Sequence, residues 1–264
     1  MSRPTVSVIV AAHNAEATLA NALNSLLEQS FRDWEAIVVD DASSDQTQSV
    51  AEPFLRDQRF SYIRLTHNSG SGTARNIAIQ RARGEYLAIL DADDRCTPNR
   101  LIDQVLAFER SPEVVVVGGQ VIEIDARGRT RHASWPTSSA EIQRQLANFK
   151  MPIAHCAAMF RAEAVRNVGG YPAFARRAQD FGLLLRLADF PMIAVPSTVL
   201  YYRRDRPTPL RYIVRSNRYA RAVRRTHQLP SRENERIGLP GSALVDLRSL
   251  VSWAKEIVAY SPRK

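Results

Sequence analysis

The sequence predicts an α/β fold in which a mostly parallel central sheet carries helices on both faces. Three observations predict it. Short β-branched runs alternate with longer amphipathic ones through the first 120 residues, and the short runs lead into polar or glycine-containing turns. A chain of 264 residues, 45% of them hydrophobic, is also long enough to bury a full core.

The expected strands are SVIVAA at 7–12, WEAIVVD at 34–40, FSYIRL at 60–65, YLAIL at 86–90 and VVVVGG at 114–119. Between them the helical pattern covers roughly 15–29, 45–57, 73–83 and 98–110. The last of these begins Thr97-Pro98, which reads as an N-cap followed by a proline whose missing N–H costs little there. Beyond 120 the pattern loosens. A loop and helix are expected over 132–146, a strand, short helix and glycine turn over 151–172, a helix opening at Gln179-Asp180, and a final strand over 193–203 that returns to the core.

In parallel sheets ligands bind beyond the carboxyl ends of the strands. Four such ends are polar here: Ala11-Ala12-His13-Asn14, Asp40-Asp41-Ala42-Ser43, Asn68-Ser69-Gly70-Ser71-Gly72 and Asp91-Ala92-Asp93-Asp94. Each is an ordinary turn composition taken singly, but together they mark one rim. The last packs three like charges into four positions. If the strand stays extended at its end, Asp91 and Asp93 share a side, and a divalent cation would turn their repulsion into coordination. A solvated acidic turn is the other reading of the same residues. Gly70 and Gly72 do not make a dinucleotide fingerprint, because Arg75 stands where its third glycine belongs, and the Walker A pattern is absent.

Cys96 and Cys156 are the only cysteines and lack metal-ligand spacing, so neither a zinc site nor a disulfide framework is expected. No apolar stretch approaches the ~20 residues that span a bilayer, and MSRPTVSVIV runs into a strand with no cleavable signal pattern, which predicts a cytoplasmic protein. The net charge of +9 is unevenly spread. Residues 203–264 hold 15 Lys/Arg and 5 Asp/Glu, while the first 202 hold 21 and 22. The basic character therefore belongs to a tail, and its helical patterns over 210–228 and 242–259 suit either peripheral contact with an anionic membrane face or packing on the main domain. Base-reading motifs are absent, so nucleic acid is not an expected partner.

The pieces SVIVAAHNAE, IVVDDASSDQT, NSGSGTARNIAIQRARGEYLAILDADD, MFRAEAV with GGYP, and QDFGLLLRL, in this order, resemble the family 2 glycosyltransferases, the large inverting group with the GT-A fold. The resemblance runs from about Val6 to Arg203. It implies a GT-A domain over 1–205, with a nucleotide-binding half to about 120 and an acceptor half beyond, followed by a basic helical extension over 206–264. It further implies that Ala12 and His13 line the base pocket, that Asp40 or Asp41 bonds the base, and that Asn68 and Arg75 support nucleotide and diphosphate. Asp91-Ala92-Asp93 looks like the family's DxD motif, with Asp93 the main ligand of Mn2+ or Mg2+ and Asp91 facing the ribose and the metal shell. Asp180 matches the base that takes the acceptor's proton, with helix capping as its bland alternative.

The implied activity is metal-dependent, inverting transfer of one sugar from a nucleotide-diphosphate sugar, UDP favoured, to a saccharide or lipid-linked acceptor in cell-surface polysaccharide or glycoconjugate synthesis. A non-catalytic sugar-nucleotide or glycan-binding protein on the same fold is the alternative. Several positions depart from the family pattern: Ala11 and His13 replace proline and tyrosine, Gln179 replaces a glutamate, and Asp205 stands where a histidine is usual. The QxxRW motif of processive synthases is missing. His155, Cys156 and Trp135 are further candidates for the acceptor side or for plain packing, and Gly169-Gly170 for a tight turn beside it.

Overall fold

The computed structural model of the protein describes residues 3–125, 127–204 and 219–225. Asp205, the predicted helix over 242–259 and most of that over 210–228 lie outside the described residues. β1 (Val6–Ala12), β2 (Trp34–Asp40), β3 (Phe60–Arg64) and β4 (Tyr86–Asp91) form where the β-branched runs predict them, and they pair in parallel in the order β3-β2-β1-β4. The register sets Ala12 opposite Asp40 and Ala11 opposite Asp91, so these strand ends reach one rim.

The intervening helices are α1 (Leu19–Leu27), α2 (Thr47–Ala51) and α3 (Ser71–Arg81). The helix expected over 45–57 is split. After α2 the chain tightens into a 3-10 turn over 52–56, because Pro53 has no N–H for the helical ladder.

After β4 come β5 (Arg95–Cys96), α4 (Arg100–Arg110), β6 (Val116–Asp125), β7 (Thr130–Ala133) and α5 (Ser139–Ala147). The chain continues through β8 (Met159–Arg161), α6 (Ala162–Asn167), α7 (Gln179–Arg186) and β9 (Met192–Arg204). β8 lies antiparallel between β4 and β6, β9 runs parallel to β6, and β5 pairs antiparallel with β9. The α/β class stands, with a sheet that is parallel as far as β4 and mixed beyond it.

The predicted cap of α4 shifts by two residues. Asn99 is the boundary residue, while the Thr97 hydroxyl donates to the Thr198 carbonyl at 2.9 Å and ties the turn to β9.

The two sheet faces carry separate cores, as the period of two along a strand requires. On one face Val6, Val8, Val10 and Val38 meet Leu19, Leu23 and Leu26 of α1 and Leu101, Val105 and Phe108 of α4. On the other, Ile9, Ile37, Val39 and Ile89 meet Ala74 and Ala78 of α3 and Leu183, Leu184 and Leu185 of α7. Each fully buried Val, Leu or Ile contributes roughly 1.5–3 kcal/mol.

Short β8 leaves carbonyls at the junction between the two halves, and α4 supplies their donors. Arg100, fully buried, donates to the Ile89 carbonyl at 2.6 Å and the Ala158 carbonyl at 3.3 Å, and Gln104 donates to the Val117 and Ala157 carbonyls at 2.8 Å each. Unpaired, such groups would each cost about 1–3 kcal/mol.

From the tail, residues 219–225 are helical and pack on the domain. Ala222 and Val223 are buried, and Arg224 donates to the Phe149 carbonyl at 3.0 Å with its guanidinium 5.2 Å from that ring. The packing reading holds for this turn. Among the described residues no helix is long and apolar enough to cross a membrane.

Candidate active site

The rim begins with a network that shapes its loops. The Ala12 carbonyl accepts the Asp41 N–H at 2.8 Å, and His13 Nδ1 lies 2.9 Å from the Asp41 carbonyl oxygen. Asp40 is fully buried, accepting from the Ser43 backbone and hydroxyl and, at 2.6 Å, from the Tyr62 hydroxyl. Asp41, also buried, accepts from the N–H groups of Ser69 at 2.6 Å and Gly70 at 2.8 Å. Both carboxylates thus have a structural task, holding the loops that carry His13 and Asn68. Asn68 in turn accepts from Arg176 at 3.1 Å.

Arg75 projects from α3 to Asp91 at the end of β4, with Nη2 donating to Oδ1 at 2.7 Å. Although Arg75 is only 6% exposed, its Nε and Nη1 have no hydrogen-bond partner. Burial opposes the charge, but Asp91, followed by Tyr171 and then Asp180, outweighs it and raises the guanidinium pKa. The reciprocal holds for Asp91: burial would raise its pKa, and Arg75 beside it keeps it below the usual carboxylate range. A buried cation with two unsatisfied donors, on a residue that lines a cleft, is suited to an anionic ligand.

The acidic turn differs from the extended geometry expected of it. β4 stops at Asp91, and the Asp94 N–H donates back to the Asp91 carbonyl at 3.1 Å, closing a turn that leaves Asp93 on its exposed tip. The strand period does not continue through the turn, so Asp94 faces Asp91 instead. Donor atoms of Asp91, Asp94 and Cys156 lie within 4.8 Å of one another. Asp94 is 2% exposed; Oδ1 accepts the Arg203 N–H at 3.0 Å and Oδ2 makes no hydrogen bond. Burial foremost, then Asp91 and Asp93, pushes its pKa well up, with the Arg203 N–H and the Cys156 thiol pulling the other way. Sequence reasoning saw the three charges but gave Asp94 no role, and it placed no thiol beside them.

Asp180 comes from the first turn of α7, which packs against the first turn of α3. It is not the cap residue, which is Ala178 in a left-handed conformation at φ 55°; its Oδ1 accepts the Phe181 N–H at 2.8 Å. A cleft of about 490 Å³ is lined by Arg75, Asp91, Cys156 and Asp180 together with His155 and Trp135. A second cavity of about 570 Å³, lined by Asn68, Arg176, Arg177 and Tyr219, also reaches Asp180. Ser71, Gln179 and Asp180 border both, and Gln179 Nε2 donates to the Ser71 hydroxyl at 2.8 Å.

His155 is buried with Nε2 2.7 Å from the Tyr171 hydroxyl, and burial, followed by Arg75, lowers its pKa to about 4. Tyr171 is set by the turn before it: Gly169 and Gly170 have φ of 76° and 66°, and Asn76 exchanges two hydrogen bonds of 2.9 Å with the Tyr171 backbone. Trp135 is clamped through its backbone by both ends of the Gln120 amide. Tyr171 escaped sequence reasoning, and the glycine pair ahead of it was its one signal.

Residues 7–169 match the model described as Glycosyl transferase family 2. The chain is 34% identical over 192 residues to the putative glycosyltransferase EpsE of Bacillus subtilis (strain 168), covering 70% of this chain and 67% of that protein. It is 31% identical over 202 residues to the amylovoran biosynthesis glycosyltransferase AmsE of Erwinia amylovora, covering 75% of each. Among solved structures, S. aureus TarS 1-349 in complex with UDP-GlcNAc superposes with a TM-score of 0.67 at 20% identity, over 97% of this chain and 73% of that one. TarS 1-349 in complex with UDP gives 0.64 at 22%, over 88% and 68%. At such identity the structural likeness speaks for the fold.

Proposed function

This chain belongs to glycosyl transferase family 2, and on that premise we propose that it moves a single sugar, with inversion and with help from a divalent cation, from a UDP-sugar to a saccharide or lipid-linked acceptor. The supporting observation is that Arg75, Asp91 and Asp180 line one cleft. A displacement at an anomeric carbon needs both parts within reach, a cation for the leaving group and a carboxylate to activate the attacking hydroxyl.

Arg75, which lines the cleft, supplies the positive charge for the donor's diphosphate, while Asp91 keeps the guanidinium in place. His13 and Asn68 lie at the base and nucleotide end of the rim, held by Asp41. Asp180 takes the acceptor hydroxyl's proton, and α7 fixes the direction of its carboxylate. His155, kept neutral by burial, contributes an uncharged surface to the cleft.

The carboxylates after β4 fit a hard divalent cation: they are oxygen donors, and one Asp94 oxygen is buried without a partner. Asp91, with Asp94 facing it and Asp93 on the tip of the same turn, would hold Mn2+ or Mg2+. Bound there, the ion would stabilise the charge that grows on the leaving diphosphate. The name of AmsE, an amylovoran biosynthesis glycosyltransferase, supports a role in cell-surface polysaccharide or glycoconjugate biosynthesis.

A panel of nucleotide sugars tests this reading through thermal stabilisation and hydrolysis with and without Mn2+ or Mg2+. One UDP-sugar is expected to stand out and to need the metal. A response to no nucleotide sugar, or a metal-independent one, counts against it.

A further inference from the structure

The larger of the two cavities that border Asp180 has no part in holding the donor's diphosphate. At about 570 Å³ it is of a size that takes a small-molecule ligand, yet Arg75, Asp91 and the acidic turn after β4 are not among its lining residues. Asp180, the base of the proposed reaction, lines it and the 490 Å³ cleft alike. A carboxylate between two cavities can serve a donor sugar in one and an attacking hydroxyl held in the other.

The charge of this second cavity is one-sided. Arg176 and Arg177 line it together with a single carboxylate, that of Asp180. Arg176 is exposed but held in place, because its Nη2 donates to the Asn68 carbonyl at 3.0 Å and to Asn68 Oδ1 at 3.1 Å. Both acceptors are neutral, and among the described residues no carboxylate pairs with this guanidinium. Its charge is positioned without being neutralised. The remaining wall comes from beyond β9, where residues 219–225 dock on α7 and bring Tyr219 to the cavity. Gly182 of α7 leaves room for that docking: a Cβ there would stand 3.3 Å from Val223 Cγ1, and Val223 is 2% exposed. An aromatic residue beside two cations is the mixture of apolar and convergent polar groups that binding sites use.

We propose that the 570 Å³ cavity is the acceptor's subsite and that the acceptor is an anionic saccharide, its phosphate or carboxylate held by Arg176 and Arg177 with the attacking hydroxyl at Asp180. The role of the hydroxyl rests on the transferase reading, whereas the anion rests on the cavity alone. Guanidinium groups match both phosphate and carboxylate, which is why the shared oxyanion and not one of the two defines the class.

The test is ligand-observed NMR on the full chain with glucose 1-phosphate, glucuronic acid and, as the neutral control, glucose, each with and without saturating UDP. At least one charged probe is expected to bind the UDP-loaded protein ~10-fold or more tightly than glucose, and which one does so separates phosphate from carboxylate. Replacing both arginines, Arg176→Gln with Arg177→Gln, should abolish that preference, while Arg176→Lys with Arg177→Lys should keep most of it. Charged probes that bind no more tightly than glucose, displacement of the bound probe by UDP, or an undiminished preference in the glutamine variant overturns the proposal. Should the glutamine variant fail to fold by circular dichroism, the wild-type comparison and the UDP competition still decide. A response to a nucleotide sugar with no preference for a charged probe refutes this subsite alone. A preference that depends on the arginines, without a response to any nucleotide sugar, refutes the transferase reading while the anion-binding cavity stands.

Discussion

The two walls of the cleft are built by different means. On the β1–β4 side Ala12, Asp40 and Asp91 stand at the ends of their own strands and the parallel register aligns them, while α3 brings Arg75 to them. On the far side His155, Tyr171 and Asp180 sit on short turns and a helix start. Bonds between residues distant in sequence orient that wall, such as Asn76 to Tyr171 at 2.9 Å and Gln179 to Ser71 at 2.8 Å. A wall set by backbone register tolerates side-chain loss without moving, whereas a wall set by single side-chain bonds shifts when one of them goes. Substitutions on the first wall should therefore act on donor binding, and those on the second on turnover.

The largest effect is expected at Asp180. Asp180→Asn keeps the hydrogen bond to the Phe181 N–H but removes basicity, so turnover should fall by at least ~10²-fold while donor affinity holds. Calorimetry with UDP alongside turnover with a working acceptor separates the two quantities. Lost donor affinity would put Asp180 on the nucleotide wall and break the division between them.

Arg75 gives the opposite pattern. Arg75→Met removes a buried cation whose Nε and Nη1 are unsatisfied, and charged hydrogen bonds contribute about 1.5–3 kcal/mol, so UDP affinity should drop by roughly 10–10²-fold. The variant also leaves Asp91 without its ion pair, so folding must be checked by thermal melting before the affinity is read. Unchanged UDP binding in a folded variant would remove Arg75 from the donor site.

This contrast also explains what could be read in the sequence. The first wall was legible because strand period, β-branched composition and polar strand ends are local signals, and Asp91 and Asn68 fall where such signals point, whereas Arg75, on α3, was named through the resemblance. Asp94 was given no role, because an extended β4 would pair Asp91 with Asp93, whereas the Asp94 N–H turns back on Asp91. Its neighbour Cys156 was out of reach, since no spacing connects residues sixty positions apart until β8 is known to pair with β4. A strand was expected within 151–172 and β8 forms there, but nothing local says which strands it pairs with; the Thr97 hydroxyl was assigned to a helix because its partner, the Thr198 carbonyl, belongs to a strand a hundred residues on. Asp180 was named through resemblance, while its place in one cleft with Arg75 is a property of the fold.

A smaller effect is expected at Gly170. Its φ of 66° disfavours any Cβ, and one added there would stand 2.5 Å from Asn76 Oδ1, the atom that accepts the Tyr171 N–H. Left-handed backbone costs a residue other than glycine roughly 1–2 kcal/mol. Gly170→Ala should therefore lower Tm by about 2–8 °C for a chain of this size. The displaced Tyr171 should also lower turnover more than UDP affinity. Equal losses in both would mean that the glycine turn supports the whole cleft and not the far wall alone.

The smallest effect is the bond that joins the walls. Gln179 Nε2 donates to the Ser71 hydroxyl at 2.8 Å, linking the first turn of α3, four residues before Arg75, to the first turn of α7, one residue before Asp180. It is a neutral, half-buried bond, so its net contribution is about 0.5–1.5 kcal/mol. Other ties between the walls remain when it goes, including Arg176 to Asn68 and Asn76 to Tyr171. Ser71→Ala and Gln179→Ala should each reduce turnover several-fold and leave UDP affinity nearly unchanged. Because both remove the same bond, the double variant should be no worse than the poorer single one, and the double-mutant cycle measures the coupling directly. A coupling energy near zero in turnover would show that α7 is positioned without this bond. A coupling of equal size in UDP affinity would show that the two walls move as one.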